Sequence, residues 1–99
     1  MGMFDHVQFR YRMPDGYEGG SYQTKGLESQ GDFYEITVGG RLLLDDDSGM
    51  VDVNYSGSLI ICGDDCYELI FVNGTLASII CLSESVCILH PYLPTTTIE

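Results

Sequence analysis

The residues that could do chemistry are four cysteines, two histidines and fifteen acids in a chain of 99. Cys62, Cys66, Cys81 and Cys87 fall into a C-x3-C and a C-x5-C pair. Zinc sites favour C-x2-C knuckles in tight turns, and neither pair has that form. Cys62, Cys81 and Cys87 sit inside apolar runs, where a thiol behaves as a small hydrophobe. No metal is therefore expected on them, even with His90 nearby as a further ligand. Cys62 and Cys66 flank a three-residue loop, so they can face each other at a distance that permits a disulfide. The opening Met1-Gly2-Met3-Phe4-Asp5-His6 has no basic stretch followed by an apolar one. It reads as no secretory leader, and a reducing cytosol then predicts thiols.

Other chemistry has weaker footing. Asp45-Asp46-Asp47-Ser48-Gly49 invites a calcium loop, which needs Gly sixth and Glu twelfth. With Gly49 sixth, the twelfth residue is Tyr55, and the match fails. His6 lies on the polar side of a strand pattern and His90 precedes Pro91. Neither has a nucleophile in a recognisable motif beside it. No Gly-rich loop opens a helix to cradle phosphate. No catalytic residue and no cofactor is expected. The glycosylation sequons at Asn54 and Asn73 read as chance matches in a chain without a leader.

Charge is the strongest signal. Fifteen acids against four bases give a net charge of −11. Through Leu27, Asp5, Asp15 and Glu18 cancel Arg10, Arg12 and Lys25. From Glu28 onward there are twelve acids and one base, Arg41. Such a surface cannot grip nucleic acid, because phosphate contacts need Lys and Arg, and it is repelled by anionic lipid. No apolar run approaches the ~18 residues of a membrane span. A solvated acidic surface would account for the charge. So would a surface shaped to meet a basic partner, since ordinary surfaces mix both signs.

The elements that must position these groups are strands. Hydrophobic residues make up 44% of the chain, too many for a disordered segment, and the dominant period is two. Val7, Phe9, Tyr11 and Met13 alternate with His6, Gln8, Arg10 and Arg12, and Pro14-Asp15-Gly16 ends that run with turn chemistry. Residues 22–27 read as a short edge strand and 33–38 as a further strand. Gly39-Gly40 and Asn73-Gly74 are two-residue hairpin signals. Residues 41–44, 51–55, 59–62, 66–72 and 75–82 supply further strands, with 45–49 and 63–65 as polar turns. Residues 83–85 are ambiguous between a helical turn and a turn before a last strand over 86–89. Pro91 and Pro94 are expected to stop regular structure.

The pattern predicts an all-β fold. It is a small single-domain antiparallel meander of about six to seven strands, curled or folded over on itself, over residues 1–94 with a loose tail at 95–99. Its expected core is Val7, Phe9, Tyr11, Ile36, Val38, Val51, Val53, Leu59, Ile61, Leu69, Phe71, Leu76 and Ile80.

Met1-Gly2-Met3-Phe4-Asp5, Met13-Pro14-Asp15-Gly16, Tyr22-Gln23-Thr24-Lys25 and the hairpin ending Gly40-Arg41-Leu42 together resemble a group of small uncharacterised proteins of bacteriophages and prophages. The resemblance covers about the first forty-two residues. Some members carry a Cys-Pro-x-Cys-Gly knuckle near Met13–Gly16. This chain lacks those cysteines, so zinc there is not implied. The resemblance implies a phage or mobile-element origin and residence in the cytoplasm of an infected bacterium. It implies no catalytic residue.

Charge and resemblance together point to a non-catalytic interaction protein. The expected role is inhibition of a host nucleic-acid-handling or defence complex, of anti-CRISPR or anti-restriction type, through carboxylates that stand in for phosphates opposite a basic surface. The expected contacts are Asp45, Asp46, Asp47, Asp52, Asp64, Asp65 and Glu68. The alternative is a structural phage component that self-assembles as a homo-oligomer by pairing strand edges.

Overall fold

The computed structural model describes residues 4–18, 20–27, 31–46, 48–82 and 88–93. Among these residues nine strands form one sheet: β1 (Asp5–Gln8), β2 (Ser21–Thr24), β3 (Phe33–Ile36), β4 (Leu42–Asp46), β5 (Gly49–Asp52), β6 (Gly57–Cys62), β7 (Cys66–Val72), β8 (Thr75–Cys81) and β9 (Leu89–Pro91). Their order in space is β5-β4-β3-β1-β2-β6-β7-β8-β9. All pairs are antiparallel except β1 with β3, where Val7 lies beside Tyr34. The fold is all-β, as its alternation predicts. It is a mixed sheet rather than a pure meander, because β3 returns to the far side of β1 instead of following β2.

The sheet has two wings. Strands β1 to β5 form one and β6 to β9 the other. They meet where β2 runs beside β6, with Gln23 in register with Cys62. The Thr24 hydroxyl adds a rung by donating to the Ile60 carbonyl at 2.6 Å. β2 is thus an interior strand, not the edge strand its short length suggests.

One face of each wing is apolar, and curling brings the two together. Val7, Tyr22, Tyr34, Ile36 and Leu42 meet Leu59, Ile61, Tyr67, Leu69, Phe71, Leu76, Ile79 and Cys81. The long connection from β1 to β2 contributes Phe9, Tyr11 and Met13, all buried. Tyr67 donates its hydroxyl to Asp15 Oδ2 at 2.9 Å, which pins the Pro14-Asp15-Gly16 turn over the core. Burial, then the Asp15 carboxylate, raise the Tyr67 phenol well above its ordinary pKa. Beyond β9, Tyr92 reaches back to donate to the Val38 carbonyl at 2.7 Å. A single bridge joins Arg41 to Thr75, so the sheet curls toward itself without closing.

Four expected core positions turn out otherwise. Ile80 is only half-buried, and Ile79 takes its place in the core. Phe71 pairs with Leu76 but Ile70 pairs with Ser78, so Ala77 is an extra residue and the facing of β8 flips beyond it. Val51 and Val53 are exposed because β5 is the sheet edge, and all four of its residues face water. Val38 is exposed at the tip of the β3–β4 turn. Pro91 does not stop the structure but ends β9 opposite Ser78, at an edge where no further strand needs its missing N–H. The segment over 83–87, Asp47, and the tail at 94–99 lie outside the described residues.

The thiol expectation is corrected for one pair. Cys62 and Cys66 are joined by a disulfide, while Cys81 is buried in the core. The Gly63-Asp64-Asp65 loop sets the two residues directly opposite across β6 and β7, with Cα atoms 4.1 Å apart. Strand register alone therefore brings the sulfurs together, and the compartment argument carried no information about register. Cys87 lies outside the described residues. A loop this short limits the entropic gain, so reduction by a phosphine should lower unfolding stability by only about 2 kcal/mol. Urea titrations with and without reductant measure this, and identical curves would show a bond without mechanical consequence.

Candidate functional site

The six expected contact residues that the structure describes do not converge on one point. Asp45 and Asp46 are exposed on β4, in a strand rather than in the loop predicted for them. The hairpin turn is shorter than the acidic run, and Asp46 pairs directly with Gly49. Asp52 ends β5 in the same hairpin. Asp47 lies outside the described residues. Asp64 and Asp65 are exposed in the loop between β6 and β7, on the other wing. Glu68 is half-buried on the outer face of β7, between Ile60 and Ile80 of the flanking strands.

Asp52 is committed to a structural task. Its Oδ2 accepts from Arg41 Nε at 2.8 Å, and its Oδ1 accepts from the Asn54 N–H at 2.8 Å. The same guanidinium donates to the Asn73 carbonyl, the Thr75 hydroxyl and Asn54 Oδ1. Arg41, the only base beyond Lys25, therefore ties the β3–β4 turn to the end of β5 and to the β7–β8 turn. The Arg41 hydrogen bond, then that of Asn54, hold the Asp52 carboxyl below the usual carboxylate range. A depressed folded pKa means that its contribution is present above the unfolded value and is lost as pH falls through the folded one. A carboxyl-detected NMR titration should show the Asp52 carboxyl titrating below the usual carboxylate range. In Arg41→Gln its midpoint should rise.

Strand alternation places a different set of side chains together. On the outer face of the first wing, His6 of β1 is in register with Phe33 of β3, and Gln8 with Glu35. Glu35 pairs with Leu43 across β3 and β4, and Asp45 pairs with Met50 across β4 and β5. Asp45 is thus a diagonal neighbour of Glu35, within reach on the same face. His6, Gln8, Phe33, Glu35, Asp45 and Met50 line a groove of about 380 Å³ that crosses β2, β1, β3, β4 and β5. The His6 and Phe33 rings stack with centroids 4.9 Å apart and an interplanar angle of 16°. Phe33 is nonetheless 59% exposed. The groove lining holds two carboxylates and neither Lys nor Arg.

The sequence reading found Asp45 but missed Phe33, Glu35 and Met50 as site residues. The signal for the first two was present, since Phe33 and Glu35 alternate with the buried Tyr34 and Ile36. An aromatic on the wet side of a strand is the anomaly that marks them. Met50 was hidden because nothing in the sequence says which strand lies beside which.

Among the described residues no group of three or more His, Cys, Asp or Glu is arranged to hold a metal ion. No helix among them is long and apolar enough to cross a membrane. No protein-family model, no curated protein and no solved structure matches the chain.

Proposed function

We propose that this chain is a non-catalytic acidic interaction protein of phage origin. It acts in the cytoplasm of an infected bacterium by occupying the basic surface of a host nucleic-acid-handling or defence complex, of the anti-CRISPR or anti-restriction type. The observation that carries the reading is the outer surface of the sheet. Asp45 shares that face with Glu35, while Asp46, Asp64 and Asp65 are exposed elsewhere on strand and turn, and beyond Arg41 the chain holds no Lys or Arg. Carboxylates on strands and turn tips, free of core duties, can meet Lys and Arg that otherwise hold phosphate.

The test begins with capture of the tagged protein's partner from a bacterial host and its identification by mass spectrometry. Replacing Asp45, Asp46, Asp47, Asp64 and Asp65 by Asn then removes five charges at nearly constant size. Each exposed pair contributes only about 0.2–1 kcal/mol, so the combined variant is the informative one. Association should slow markedly at low salt and converge on the parent's at high salt. Unchanged binding at low ionic strength would leave the acidity as a solvated surface.

A self-assembling structural role is the second reading, and the open β5 edge favours it, with Met50 and Val51 each 46% exposed. A charge of −11 on every copy opposes it. Light scattering behind size exclusion separates the two, a stable ring supporting assembly.

A further inference from the structure

We infer that the groove across β1 to β5 is a seat for an arginine side chain displayed by a partner protein. This rests on the preceding reading only in supposing that the partner is a protein with a basic surface.

The argument is one of shape and charge. A guanidinium is a flat, delocalised cation that stacks on aromatic faces and forks onto carboxylates. The groove offers both. Phe33 presents a ring that is 59% exposed, and the stacked His6 ring holds it from one side. Glu35 lies two residues along the same strand on the same face, and Asp45 comes from the neighbouring strand. Met50, opposite Asp45, gives an apolar wall for the methylene stem. A lysine ammonium could meet either carboxylate, but it cannot also lie flat on the ring. A second copy of this chain is a poor occupant because both copies carry −11. The groove is open along one sheet face and crosses five strands, so it suits a side chain projecting from another surface.

The experiment uses the intact protein and two blocked amino acids, N-acetyl-arginine amide and N-acetyl-lysine amide. Each is titrated at pH 7 while NMR follows the Phe33 ring, the Met50 methyl and the Glu35 amide. The arginine amide should shift all three, and should bind about two- to five-fold more tightly than the lysine amide, the ratio expected of an exposed cation–π contact. Phe33→Ala should erase that preference. The ring lies outside the core, and an unchanged amide spectrum elsewhere confirms the fold. Glu35→Gln should weaken arginine by about 1.5- to five-fold while keeping the preference over lysine. Equal response to both amides, or an arginine preference that survives Phe33→Ala, overturns the inference. The titration needs no partner. Arginine selectivity without any basic partner in the host would remove the proposed function and leave the seat. A charge-dependent partner without arginine selectivity would do the reverse.

Discussion

Phe71→Ala is expected to lower unfolding stability by about 3–5 kcal/mol, the range for deleting a buried phenyl ring. Phe71 is 2% exposed, at the turn end of the β7–β8 hairpin. Its cross-strand neighbours are Gly57 and Leu76. Tyr55 packs edge-on against the Phe71 ring at 5.5 Å between centroids, so truncation removes that contact as well. Urea unfolding of the two proteins, compared at equal slope, gives the difference. A loss below about 1 kcal/mol would place the ring outside the core.

Gly74→Ala is the second large effect, expected at about 2–4 kcal/mol. Asn73 and Gly74 form the two-residue turn between β7 and β8, with φ of 52° and 81°. A left-handed backbone costs a residue with a Cβ about 1–2 kcal/mol. The added Cβ would also stand 2.3 Å from Asn54 Oδ1 and 2.8 Å from both terminal nitrogens of Arg41. Those groups must withdraw, and each hydrogen bond broken adds about 0.5–1.5 kcal/mol. The variant should therefore lose stability and raise the Asp52 titration midpoint together. Gly39→Ala is the control, with no positive φ and only the Thr37 hydroxyl at 3.8 Å. It should change stability by less than about 0.5 kcal/mol.

Local chemistry was legible where it acts alone. The Asn73-Gly74 turn, the β7 strand and the burial of Val7, Phe9, Tyr11, Leu59, Ile61, Leu69 and Phe71 all follow from turn residues and period two. What depends on partners was not legible. Tyr22 reads as an edge residue until β6 is placed beside β2. Val51 and Val53 alternate with polar residues more cleanly than the apolar run Leu59-Ile60-Ile61-Cys62, yet no opposing wing covers them. The Ala77 bulge breaks the count by one residue without a glycine or proline to announce it. The candidate site suffered most, because a groove spanning five strands belongs to their order in space, which alternation does not encode.

The meeting of the wings has a kinetic consequence. Within the second wing, strands β6 to β9 each pair with their neighbours in sequence, so these contacts close short loops and can form early. The first wing needs β3 to pass β2 and pair parallel with β1, and no hairpin can nucleate that arrangement. The expected nucleus is therefore the β6–β7–β8 ribbon, with Gln23 and Thr24 docking onto its β6 edge before β1 and β3 are recruited. Substitutions such as Leu69→Ala should slow refolding nearly in proportion to the stability lost, and Tyr34→Leu should mainly speed unfolding. A chain built in this order is made from its C-terminal side inward, so during synthesis the acidic first wing waits, without its β1–β3 junction, for the ribbon that completes it.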